Sequence, residues 1–363
     1  MKYSKFSHNR RQNLKQLWQL AGLFTISPVS KSFAASNDEV VFAGFGGSLE
    51  TMFRDKISPV FEKLTGIKLK YVVGTALSNY SKLIATRSKP DIDVYWSNEL
   101  THAGGKQNSL FNKLDPNIVT NLRDVLSIGR DPDDIGVASY LIATVLQYNT
   151  QAYKEAGLSP PTSWEDLWDP KLKGKVALLN INVAATQDLL AILSRIQGGN
   201  ESDIRPSIRK LKTLRDMGNL TLFASSPAEL DNMLIQKQAW ITVASSPRPL
   251  ILKQRGAPID AVFPKEGAGF FTNYFDPVLN SPNPRAAQIL INFLISPDIQ
   301  KIISEEAVCA PIHKLVGMPK ALEGRMPAGE SGINKLIRID RAIMNRDLEK
   351  WIDLWNREIE IKR

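Results

Sequence analysis

Between residues 40 and 96 the chain alternates short apolar runs with helix-forming stretches, twice over. Residues 40–43 (VVFA) read as a strand, and 44–47 (GFGG) as a tight turn. Ser48 then caps a helix that runs to about Leu64. Residues 67–73 form a second strand, Gly74-Thr75 leads into a helix over 78–87, and a third strand over 91–96 is entered from Pro90. Parallel neighbours need a crossover, and each intervening helix supplies one. The order therefore predicts a parallel sheet with helices on both faces. Sheets of this kind receive ligands at the carboxyl ends of their strands, where the loops gather.

The 363 residues are enough for two such units. Residues 135–148 are apolar and rich in β-branched side chains, too long for one simple strand, and read as an extended connection between two lobes. Strands follow at 175–180, 240–244 and 260–263, with helical patterns at 185–196, 208–214 and 228–236. Residues 274–279 lead back, helices open at Asn283 and Ser296, and an amphipathic helical run closes the chain over 334–361. The lobes thus interleave, one from 37–141 with 278–363, the other from 142–277.

The first 34 residues carry Lys2, Lys5, Arg10, Arg11, Lys15 and Lys31 with no acid, then a short apolar core from Leu17 to Ile26, then Ser32-Phe33-Ala34. This is the layout of a secretory leader, with a mature start expected at Ala35 or Ser36. The core is shorter than the roughly 20 residues of a membrane span. Asn9-Arg10-Arg11-Gln12-Asn13-Leu14-Lys15 resembles a twin-arginine signal, although Asn13 stands where that signal has Phe; an ordinary secretory route stays open. The formal charge is +9, and losing six basic residues leaves about +3. No remaining basic cluster points to nucleic acid. The single Cys309 excludes an internal disulfide, and its apolar neighbours indicate a buried thiol.

At 161–179 the chain reads PTSWEDLWDPKLKGKVALL. Ser163 is a good helix cap, Glu165 and Asp166 suit the first turn, Trp164, Leu167 and Trp168 share a face, and Pro170 stops the turn before a buried strand. With FAGFGGSLE, PDIDVYW, QAWITVASS, RGAPIDAVFPKEG, SPNPRAAQILINFLISPDIQ and WIDLWNREI, in that order, the whole mature chain resembles the periplasmic solute-binding proteins of ABC importers, and within them the spermidine/putrescine-binding branch. The resemblance implies a two-lobed α/β fold (type II) with parallel-rich sheets, a ligand cleft between the lobes and hinge closure on binding. It also implies a small-molecule solute, an inner-membrane ABC permease as partner, a periplasmic location, and no cofactor or metal. The receptor is expected to act as a monomer.

Candidate ligand contacts lie on loops at strand ends. They are Gly46, Gly47 and Ser48; Thr75 and Ser78; Ser97 and Asn98; Tyr140; Asn182 and Thr186; Ser245, Ser246 and Arg248; and Phe271 with Asn273. Several double as caps. Arg248, among serines and prolines, has the chemistry to grip a carboxylate or phosphonate, or else forms a surface ion pair. Polyamine-binding relatives hold ammonium groups with carboxylates. Here no acid stands between Asn180 and Gln187, Phe271 replaces a Trp and Asn273 an Asp. A buried ammonium without a carboxylate costs several kcal/mol, so an anionic or zwitterionic solute is favoured. A polyamine remains the alternative, with Glu50, Glu99, Asp231, Glu266 and Asp276 as possible acids. His102 and His313 are the only mature histidines, which excludes a three-His zinc site; a nucleophile elbow, a Walker loop and the adjacent tyrosines of iron-binding relatives are also missing. A periplasmic enzyme on the same fold is the remote alternative.

Overall fold

The first two crossovers form as the strand–helix order predicts. A computed structural model describes residues 39–333 and 335–360; the leader expected over 1–34 lies outside the described residues. Strand β1 (Glu39–Gly44) leads through Gly46 and Gly47 into α1 (Ser48–Met52), a π-helical turn over Phe53–Ile57 and α2 (Ser58–Thr65). Gly47, at φ +73°, is the N-cap, so Ser48 is the first helical residue and not the cap. A side chain is disfavoured at that φ, which explains glycine there. β2 (Lys68–Val73) and β3 (Val94–Asn98) both lie parallel to β1, with α3 (Ala76–Ala85) between them and α4 (Glu99–Gln107) after β3.

β4 (Val137–Asn149) is one strand of 13 residues. The stretch read as too long for one strand is continuous because it changes partners midway. Val137 to Ala143 pair with β9, and Thr144 to Tyr148 pair with β7, both antiparallel. Being covered on both faces, it is buried almost throughout and does not alternate between buried and exposed positions. α5 (Thr150–Glu155) follows. The SWEDLW segment then makes a 3₁₀ turn, with Ser163 accepting from Glu165 N at 3.0 Å and Asp166 returning a bond to Ser163 N at 2.9 Å. The Ser163 hydroxyl also donates to Glu266, and the Trp164 indole to the Gly267 carbonyl at 2.8 Å. The tryptophan motif and the PKEG segment are therefore two halves of one structural clamp.

The second sheet continues through β5 (Val176–Leu179), α6 (Ala184–Ile196), α7 (Arg205–Asp216), β6 (Leu220–Ala224), α8 (Pro227–Ile235), β7 (Ile241–Ser245), α9 (Pro247–Gln254) and β8 (Ile259–Val262). β9 (Ala268–Pro277) then pairs antiparallel with β3 as well as β4. α10 (Pro284–Leu294), α11 (Pro297–Ala307), α12 (Gly329–Ile333), β10 (Leu336–Arg338) and α13 (Arg341–Glu358) complete the chain. The strand path is β2-β1-β3-β9-β4-β7-β5-β6, with β10 on β9 and β8 on β4. The closing run expected as helix from residue 334 thus begins with a strand. α13 packs against α7, where Lys212 pairs with Glu358 at 3.1 Å, and against β6, where Trp355 meets Phe223 edge-on.

Phe42 of β1, Phe53 of the π-helical turn, Trp96 of β3 and Phe275 of β9 form an aromatic cluster, with ring centroids 4.7–5.9 Å apart. In the second lobe α6 is buried from Thr186 to Ser194. Cys309 is buried as expected, which pushes its thiol pKa up. Among the described residues no helix is long and apolar enough to cross a membrane.

Candidate functional site

The carboxyl ends of β1, β2 and β3 and the loops after β5 and β7 supply most of the expected contacts, with Tyr140, Phe271 and Asn273 coming from the crossing strands β4 and β9. Several of these residues are spent on structure. Thr75 and Ser78 cap α3 reciprocally, Ser78 N donating to Thr75 Oγ1 at 3.0 Å and Thr75 N to Ser78 Oγ at 2.9 Å. Thr186 is buried and donates to the Leu179 carbonyl at 2.7 Å. Ser246 is buried and accepts from Ala143 N at 3.3 Å. Ser97 is buried with its hydroxyl on Asp276. Asn182 is exposed in the turn before α6, and Gly46 lies against Val73 beside the exposed Gly47.

Two groups do come together. Asn98 caps α4, accepting from Thr101 N at 2.9 Å, and sits opposite Asn273 in the β3–β9 ladder. Asn273 in turn donates to the Tyr140 hydroxyl at 2.8 Å. In the second lobe Ser245, Arg248 and Phe271 line one cavity of about 150 Å³ with Thr144, Gln147, Asp188 and Asp231. Arg248 is not a free anion grip there, because Asp231 lies 2.6 Å away. Its Nε and the Gln147 Oε1 are buried without a partner, so this cavity retains unsatisfied polar atoms.

A larger groove of about 560 Å³ runs between α4 of the first lobe, α6 of the second and the β10–α13 junction. It is lined by Glu99, His102, Lys106, Asp131, Arg195, Tyr274, Arg338, Asp340 and Arg341. His102 stacks on Tyr274 at 3.9 Å, with Nδ1 2.8 Å from Asp276 and Nε2 3.3 Å from Asp131. Burial alone would discharge the ring, but the two carboxylates outweigh it and lift its pKa to about 9. Lys106 completes the group with bonds of 2.7 and 2.9 Å to Asp131.

Arg341, the first residue of α13, joins the two lobes. Its Nε donates to Glu99 at 3.0 Å, while Nη1 and Nη2 both reach Asp188, the latter at 3.2 Å. Asp188 is fully buried and also accepts from Thr144 at 2.7 Å. Burial opposes the guanidinium charge, yet Asp188 and then Glu99 hold its pKa above the ordinary value. For Glu99 burial dominates and the carboxyl is raised despite the arginine. Asp188 stands one residue beyond the acid-free stretch from Asn180 to Gln187, and Arg341 is 153 positions away from it. Neither has a local sequence signal. Among the described residues no cluster of His, Cys, Asp and Glu is placed to hold a metal ion.

Two lobes joined by crossing strands, with a polar groove between them, define a two-lobed solute receptor. Comparison places it further. A family profile described as bacterial extracellular solute-binding protein matches residues 90–331. The spermidine/putrescine-binding periplasmic protein of Escherichia coli (strain K12) is 31% identical over 68% of this chain and 70% of its own. The gamma-aminobutyric acid-binding protein of Pseudomonas aeruginosa is 25% identical over 93% of this chain and 95% of its own. The periplasmic binding protein AttC of Agrobacterium tumefaciens, solved in an open unliganded conformation, superposes with a TM-score of 0.72 at 23% identity, over 88% of this chain and 99% of that one. The chain belongs to the bacterial extracellular solute-binding proteins of ABC transporters; its relatives are binding proteins and not enzymes.

Proposed function

We propose that this chain is the periplasmic receptor of an ABC importer that captures a small solute bearing an anionic group, with an amino-acid-sized zwitterion favoured over a polyamine. The observation that carries the reading is the state of the cleft acids. Asp188 is answered by Arg341 and Asp231 by Arg248, so neither carboxylate is left for a ligand ammonium. The groove is lined by Lys106, Arg195, Arg338, Arg341 and His102, of which Lys106 is paired with Asp131 and Asp133, Arg195 with Glu201, Arg341 with Glu99 and Asp188, and His102 with Asp131 and Asp276. Arg338, which donates to the Ile128 carbonyl at 3.0 Å, is the groove cation left without a carboxylate partner among the described residues, and its guanidinium suits a ligand carboxylate or phosphonate. The relative named for gamma-aminobutyric acid, itself a zwitterion, supports this reading. The polyamine alternative draws its support from the relatives named for spermidine and putrescine.

The ligand would lie against Asn98, Tyr140, Ser245, Arg248, Phe271 and Asn273, with Gly46, Gly47, Ser48 and Asn182 at the rim; Ser245, Arg248 and Phe271 line the 150 Å³ cavity, and none of these residues lines the 560 Å³ groove beside it. The lobes would hinge where β4 changes partner, between Ala143 and Thr144, and where β9 crosses back. In this division α13 moves with the second lobe, on which it packs, and the remainder of 278–363 stays with 37–141. The closed receptor presents both outer faces to an inner-membrane permease. Mass spectrometry of small molecules released from the purified, unheated protein tests the reading. Recovery of an anionic or zwitterionic solute is expected; recovery of putrescine or spermidine would restore the polyamine alternative.

A further inference from the structure

A guanidinium supplied by the chain itself sits between two carboxylates, Asp188 and Glu99. Asp188 is fully buried on the second-lobe helix α6, and Glu99 opens the first-lobe helix α4 at the end of β3. Their side chains are 1% and 18% exposed, and Arg341, itself 15% exposed, is the cation paired with both among the described residues. The arrangement is bidentate on Asp188 and single on Glu99, while Thr144 takes up further acceptor capacity on Asp188. Asp188 faces the 150 Å³ cavity and Arg341 the 560 Å³ groove, so the ion pair forms the wall between the two spaces.

We propose that Arg341 is a built-in counter-cation that sets the specificity of the cleft: it neutralises Glu99 and Asp188 from within and thereby withholds both carboxylates from a diamine. The proposal deepens the zwitterion reading and rests on it for the location of the ligand. An entering ammonium must displace a guanidinium tethered to α13, whose effective concentration at the site no free solute matches. Removing the guanidinium leaves two desolvated carboxylates facing one space, an arrangement whose cost falls when a cation enters.

Calorimetric titration of the mature protein with putrescine, for wild type, Arg341→Ala and Arg341→Ala/Asp188→Asn, tests this. Arg341→Ala is expected to bind putrescine at least tenfold more tightly than wild type, and Asp188→Asn to abolish the gain. Folded Arg341→Ala protein with no gain over wild type would overturn the proposal. If Arg341→Ala is recovered unfolded, putrescine during refolding is expected to restore its circular dichroism, and failure to do so would overturn the proposal equally. A parallel titration of wild type with 4-aminobutanoate separates the two levels. No zwitterion binding together with a putrescine gain in Arg341→Ala sinks the solute reading alone; zwitterion binding without that gain sinks the counter-cation alone.

Discussion

His102 has a carboxylate on each ring nitrogen, Asp276 at 2.8 Å and Asp131 at 3.3 Å, with Tyr274 stacked on its face. Its folded pKa of about 9 lies above the ordinary 6.5. The stability it contributes is therefore complete below about pH 6.5 and is lost as pH rises through about 9. The amount is of order 3 kcal/mol. Urea unfolding across this window is expected to show the decline in wild type and a much flatter profile in His102→Gln; equal slopes in the two proteins would refute the assignment. Arg248 makes the complementary point. Its position after β7 was readable as a loop at the cleft, but its partner Asp231, on a different element, was not. Whether a charge is free or answered is a tertiary fact, and residue type and spacing do not contain it.

The elements legible in the sequence are those whose signal is local. The capping exchange around Ser163 and the two parallel crossovers follow from residues within a few positions of one another. β4 was misread because its length comes from serving two sheets, and a hydrophobic run carries no mark where its partner changes. β10 escaped because three residues, Leu336 to Arg338, pair with β9 at the edge of a segment with strong helical periodicity. The site was legible to the same extent: loops at strand ends were found, whereas Asp188 and Arg341, 153 positions apart, were not. α13 depends on long-range packing in the same way. Trp355 is 1% exposed and meets Phe223 edge-on with centroids 5.9 Å apart. Trp355→Ala should cost about 3–5 kcal/mol in chemical denaturation. A loss below about 1 kcal/mol would mean that the helix is not anchored on the second lobe.

For the molecule as a whole, two strands, β4 and β9, cross between the two sheets, and the proposed hinge lies where they cross. Glu99 and Asp188, one from each lobe, meet only through Arg341, so electrostatics of the cleft and the approach of the lobes are coupled in one side chain. Under the proposed function a solute that brings an anion to the cleft favours closure, whereas a diamine competes with the arginine. Titration calorimetry of the wild-type mature protein against 4-aminobutanoate and putrescine, under the same buffer and salt, is the most direct test. Saturable binding of 4-aminobutanoate is expected, with putrescine weaker by roughly 100-fold, about 2.7 kcal/mol. Micromolar or tighter binding of putrescine, with no heat from 4-aminobutanoate, would contradict it.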